Sequence, residues 1–148
     1  ASNVLGITPH WFRADFPEFI GKADKLPVDQ HLLAALVAPR ALLATEGTQD
    51  SGSNPEGAQL SYLAASHVYE FLGARKEIAI RFRPTGPVPS TEDLLDGADR
   101  FLLGKRLPQE FNRLPFTQEK PEFKWKAPGK ASATGGNPGY LRSASPRG

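Results

Sequence analysis

LSYLAASHVYEFLGARKEIAIRF, residues 60–82, contains the change of period on which the fold turns. In its first half the apolar residues Leu60, Leu63, Ala64, Val68, Phe71 and Leu72 recur at steps of three and four, which gives a helix one apolar face. Gly73 supplies the residue that can close such a helix in the left-handed conformation. From Glu77 to Phe82 the pattern EIAIRF alternates, as a strand with two unlike faces does.

Toward the N-terminus, a polar loop from Glu46 to Gly57 leads back to ALLAT, residues 41–45, a short continuous apolar run suited to a buried parallel strand. Before it, Asp29 can cap a helix through Leu32, Leu33, Leu36 and Val37 that Pro39 ends. Residues 1–28 place Trp11, Phe12, Phe16 and Phe19 among Pro9, Pro17 and Pro27 without a sustained period, so they read as an irregular, aromatic-anchored loop. Toward the C-terminus, Ser90 with Asp93 three residues later opens a last helix through Leu94, Leu95, Ala98, Leu102 and Leu103. The order helix, strand, helix, strand, helix is an α/β arrangement built on one right-handed βαβ crossover. Two strands do not make a stable sheet, so this region is expected to need a neighbouring polypeptide segment.

The chain of 148 residues is 39% hydrophobic, which suits one modest domain. Its net charge of +2 is unevenly spread: residues 1–104 carry 9 Lys/Arg against 13 Asp/Glu (−4), and residues 105–148 carry 9 against 3 (+6). The second stretch is rich in Pro, Gly, Lys and Ser, with Phe111, Phe116, Phe123 and Trp125 spaced through it. It reads as an extended basic arm, its four rings the candidate anchors on another subunit. The division is thus 1–104 and 105–148. The absence of cysteine excludes disulfides, thiolate metal sites and a cysteine nucleophile. No run approaches the roughly 20 apolar residues of a membrane-spanning helix. The opening Ala1, Ser2 and Asn3 carry neither an initiator methionine nor a signal-peptide pattern, as a processed or partial product would.

Five stretches carry a family resemblance: PHWF (9–12), LPVDQH (26–31), APR (38–40), Asp50 with Pro55 and Gly57 behind it, and AAS (64–66) with Val68 and Tyr69. They resemble, in the expected order, the C-terminal third of glucuronoyl esterases, the fifteenth carbohydrate esterase family. The resemblance implies a partial α/β-hydrolase fold: the last two strands and flanking helices of a parallel sheet over residues 1–104, followed by the arm. It also implies an extracellular or periplasmic setting, and the hydrolysis of esters between glucuronic acid groups of xylan and lignin alcohols. The chemistry would be that of a serine nucleophile, a histidine base, an orienting acid and an oxyanion hole.

Against that pattern, Asp50 occupies the acid position after the first strand, with capping of its own loop as the alternative role. The histidine is expected after the second strand in a Gly-His context, where this chain reads RPTGPVP (83–89). Pro87 stands in its place and cannot carry a proton. No serine elbow is found: Ser51, Gly52 and Ser53 lie in a loop after a strand without the required glycines. Trp11 and His31 are candidate substrate contacts, the alternatives being a loop anchor for Trp11 and packing or hydrogen bonding for His31. His10 belongs to the PHWF motif and His67 to the amphipathic helix, and no histidine spacing indicates a metal site. Arg40 and Arg83 could bind carboxylate or form structural ion pairs. No cofactor is expected.

Two functions remain in view. In the first, the chain is a non-catalytic hydrolase-like scaffold or interface in a larger protein assembly. In the second, it is the C-terminal segment of a glucuronoyl esterase whose serine another segment or chain supplies. Nucleic-acid binding by Lys120, Lys124, Lys126 and Lys130 around Phe123 and Trp125 is a third and weaker alternative.

Overall fold

The computed structural model describes residues 6, 9–50, 52–88, 90–107, 111–117 and 128. Its regular elements are α1 (Gln30–Ala35), β1 (Leu42–Gly47), α2 (Pro55–Phe71), β2 (Ile78–Arg83) and α3 (Thr91–Leu103). Short 3-10 turns occupy Pro9–Trp11, Phe16–Phe19, Ala23–Lys25 and Arg75–Glu77. Each long helix begins where a side chain takes up an orphan N–H: Asn54 Oδ1 accepts from Gly57 N at 3.0 Å, and Ser90 Oγ accepts from Asp93 N at 3.2 Å. Gly73 (φ 72°) follows α2 and Gly104 (φ 62°) ends α3, both in the left-handed region that a side chain would strain. No helix among the described residues is long and apolar enough to cross a membrane.

Strands β1 and β2 pair in parallel, from Leu42 opposite Ile78 to Gly47 opposite Arg83. Helix α2 covers one face, where Tyr62, Ala65 and Tyr69 pack with Ile78 and Ile80 into the buried core and Leu42, Ala44 and Phe82 border it. The Tyr69 hydroxyl donates to Arg40 O at 2.9 Å, so the same helix also fixes the approach to β1.

Helix α3 covers the other face in a way its apolar stripe does not predict. Its buried residues are Asp93 and Gly97, whereas Leu94, Leu95, Leu102 and Leu103 are exposed, Leu102 to 77%. Gly97 sits so close to β1 that a Cβ there would meet the Leu43 side chain. Asp93 is drawn inward by two arginines of β2: Arg81 Nη1 donates to Asp93 Oδ1 at 3.0 Å and to Asp96 Oδ2 at 2.6 Å, and Arg83 Nε lies 2.6 Å from Asp93 Oδ2. Arg81 and Asp93 are 5% and 3% exposed. Burial alone works against the Arg81 charge, but its bonds to Asp96 and Asp93 more than offset it and hold the guanidinium above its ordinary pKa. Ion pairing, not the leucine stripe, thus selects which side of α3 meets the sheet.

The far edge of β2 is closed by residues 111–117. Asn112 N donates to Ile80 O at 2.8 Å and Ile80 N donates to Asn112 Oδ1 at 3.0 Å, with Asn112 at φ 66°. Asn112 therefore pairs with β2 as a neighbouring strand residue would, using its side chain for one of the two bonds. Phe111 lies on the α3 side, 4.0 Å from the Arg81 guanidinium carbon, and Phe116 lies edge-on to Phe82 at 5.7 Å. Gln59 of α2 secures the far end, its Nε2 donating to Phe116 O at 2.7 Å and its Oε1 accepting from Phe116 N at 3.2 Å. Residues 111–117 form a strap that crosses the edge from one face to the other. Two of the four rings expected to anchor an arm on another subunit, Phe111 and Phe116, are held by this chain itself; Phe123 and Trp125 lie outside the described residues.

The N-terminal segment also departs from expectation. Trp11 is 71% exposed and makes an edge contact with His10, so it does not anchor the loop to the core. Phe12 instead stacks on Phe16, with centroids 4.6 Å apart, and Phe19 lies tilted against Phe16 at 6.3 Å, because the short turns bring near neighbours in sequence together.

Candidate functional site

In a parallel sheet the chain reverses beyond the C-terminal strand ends, and those loops are where a site is ordinarily built. Here the loops after β1 and β2 are tied to each other. Thr48 N donates to Arg83 O at 2.8 Å and Gln49 N to Thr85 O at 3.0 Å, while a side chain on Gly47 would collide with the backbone of Thr85 and Gly86. Asp50 and Pro87 therefore belong to two loops fixed at one end of the sheet. Arg83 holds the second loop as well: its Nη1 donates to Thr85 Oγ1 at 3.2 Å and to Val88 O at 3.0 Å.

Asp50 is half-buried, and its Oδ1 accepts from Gly52 N at 2.8 Å and from Ser53 N at 3.3 Å. This is the local capping geometry of an Asx turn. The carboxylate is positioned, but by its own loop. Glu46, which the sequence reading places in the loop, belongs to β1, and the strand carries it to the same end. Burial, and then the nearby Asp50 carboxylate, push the Glu46 carboxyl above the usual carboxylate range. A continuous apolar run ends at the first charged residue, so ALLAT gives no sign that the strand goes on through Glu46 to Gly47.

The remaining candidates are dispersed. His31 sits on α1 with its Nδ1 3.5 Å from Asp29 Oδ2, beside the residue that caps the helix. Trp11 and His10 share the first 3-10 turn. Arg40 is exposed and its Nε donates to Val37 O at 3.4 Å, a local bond. Arg83 forms the structural pair with Asp93, and Phe111 and Phe116 belong to the strap. Among the described residues no His, Cys, Asp and Glu side chains group as a metal ion requires. The arrangement puts Asp50 and Pro87 at the same end of the parallel sheet, on loops tied to each other.

Residues 2–73 match a family model described as glucuronyl esterase, fungi. A carbohydrate esterase from an unknown prokaryotic organism is 46% identical over 65 residues, covering 44% of this chain and 15% of that protein. The 4-O-methyl-glucuronoyl methylesterase of Schizophyllum commune is 46% identical over 66 residues, 43% of this chain and 16% of that one. The chain thus spans about a sixth of these relatives. A solved carbohydrate esterase family 15 glucuronoyl esterase from Caldicellulosiruptor kristjansonii superposes with a TM-score of 0.75 at 40% identity, over 86% of this chain and 34% of that one. Motifs, sheet topology and these likenesses converge: the chain is glucuronoyl esterase-like and corresponds to the C-terminal part of that α/β-hydrolase fold.

Proposed function

We propose that this chain acts as a non-catalytic α/β-hydrolase-like subunit or segment, a scaffold and interface in a larger assembly outside the cytoplasm. The observation that carries the reading is Pro87, in a loop that Arg83 pins beside the Asp50 loop. A serine esterase needs a base there, and its acid serves only to orient that base. With proline at the position, Asp50 has no imidazole to orient and spends its Oδ1 on Gly52 and Ser53. The interface half of the reading rests on β1, whose outer edge has no strand beside it among the described residues. The partner is a protein segment able to complete the sheet, and the extracellular or periplasmic setting follows from the esterase likeness.

A second reading is favoured by the position of Asp50 alone: the C-terminal segment of a glucuronoyl esterase acting on glucuronate esters of xylan, with the serine supplied elsewhere. Incubating the purified chain, alone and mixed with an upstream glucuronoyl esterase fragment that carries the serine elbow, with a methyl ester of 4-O-methylglucuronic acid separates the two. No release of methanol above the uncatalysed rate is expected. Turnover lost in Asp50→Asn would establish the second reading instead, and turnover lost in a Ser51→Ala, Ser53→Ala double variant would reveal a nucleophile in the β1 loop.

A further inference from the structure

At the opposite end of β2 from Thr85, a six-residue strand or about 20 Å away, lies a half-open cleft of about 640 Å³. That volume falls in the range of small-molecule sites. Its lining joins Lys76 and Glu77, which precede β2, to Arg100 and Phe101 at the end of α3 and to Arg106 and Phe111. The electrostatics are unequal. Lys105, also in the lining, is neutralised by Asp99, with Nζ 3.0 and 3.1 Å from the two carboxylate oxygens. Among the described residues Lys76, Arg100 and Arg106 form no ion pair, and Glu77 is the single carboxylate of the lining.

Arg100 is the informative member. It is half-buried, and its guanidinium carbon stands 5.3 Å from the Phe101 ring centroid and 5.1 Å from that of Phe111. One Nη2 hydrogen bond, to Lys76 O at 3.4 Å, is its only polar contact among the described residues. Arg81 touches the same Phe111 ring from deeper in the fold and is met by two carboxylates. Two arginines thus share one ring, and among the described residues only the inner one has its counter-charge. The α3 carbonyls that would repel an anion here are partly occupied, since both Gly104 N and Lys105 N donate to Asp99 O.

We propose that the cleft binds a small organic oxyanion with an apolar or aromatic body. The oxyanion meets the free N–H edges of Arg100 with Lys76 and Arg106 at the rim, and the body lies over Phe101 and Phe111. A planar guanidinium already ordered on aromatic faces suits two-point recognition of carboxylate or phosphate. Phenyl phosphate, benzoate and inorganic phosphate serve as probes, titrated into the full chain and followed through amide shifts by NMR. Phenyl phosphate should saturate shifts around Lys76, Arg100 and Phe111 and bind at least tenfold more tightly than inorganic phosphate. Benzoate binding as tightly as phenyl phosphate would support a site that accepts either oxyanion; equal affinity for phenyl and inorganic phosphate would overturn the proposal, since the body would contribute nothing. Arg100 touches Phe111, so the exposed pair Lys76→Gln with Arg106→Gln provides a variant that leaves packing intact. It should weaken phenyl phosphate at least fivefold with an unchanged amide spectrum elsewhere. Unaltered affinity in that variant, or no saturable shift in the parent chain at millimolar ligand, would overturn the proposal.

Discussion

The two edges of the β1–β2 sheet are finished differently. The outer edge of β2 is closed by a strap from its own chain, in which Asn112 exchanges two hydrogen bonds with Ile80. The outer edge of β1 is left without a strand among the described residues. The register shows which groups this leaves. Thr48 N bonds to Arg83 O, so in the parallel ladder Leu42, Ala44 and Glu46 direct their backbone groups toward β2. Leu43, Thr45 and Gly47 direct theirs away. By the same alternation Ile80 points away from β1, which is where Asn112 meets it. The difference teaches where this fold can be extended: β2 is a finished boundary, and β1 is the side at which another strand would join.

The closed edge depends on charge beneath it, because Phe111 rests on the Arg81 guanidinium. Asp93→Ala should therefore have the largest effect. Arg81 would keep Asp96, but the buried Arg81 and the partly buried Arg83 would both lose the carboxylate between them, at a cost of about 3–5 kcal/mol. Urea unfolding should show the midpoint fall with little change in slope. Asn112→Ala attacks the strap itself: it removes the acceptor for Ile80 N–H and puts alanine at φ 66°. The expected loss is about 1–3 kcal/mol, read in the same unfolding experiment, with faster exchange of the Ile80 amide as its specific signature.

At the open side the effects are smaller. Glu46 has its folded-state pKa raised, first by burial and then by Asp50. Its contribution to stability is complete below the ordinary carboxylate range and is lost as pH rises through the raised value. Glu46→Gln should thus melt higher than the parent at neutral pH, and the two melting curves should converge at acid pH. Leu102→Ala, at a residue 77% exposed, should change the stability of the chain by no more than about 0.5 kcal/mol. A much larger loss would mean that the leucine face of α3 is already covered.

The helices and strands were legible where local pattern and local structure agree. The three-and-four spacing from Leu60 to Leu72, the Gly73 stop and the alternation EIAIRF correspond to α2, its left-handed end and β2. The ALLAT run corresponds to β1, which the structure carries on to Gly47. The orientation of α3 was not legible. Its leucines give the stronger periodic signal, but the inward side is set by Arg81 and Arg83, which lie on another element and contribute nothing to the helix's own pattern. The strap was hidden for a related reason. Asn112 meets Ile80 across 32 positions, and a side-chain amide standing in for backbone leaves no periodic trace. Of the candidate site, motif order put Asp50 and Pro87 in the loops after the two strands, and the structure ties those loops together at one end of the sheet, whereas the part played by Arg83 in fixing the second loop required the fold.

Amide hydrogen exchange of the full chain, followed residue by residue by NMR, tests the contrast between the edges most directly. The account predicts that Ile80 N–H, bonded to Asn112, exchanges slowly, while Leu43 and Thr45 N–H in the neighbouring strand exchange close to the rate of an open chain. Protection of Leu43 and Thr45 equal to that of Ile80, in a monomeric sample, would show that the β1 edge is already closed and would contradict the account.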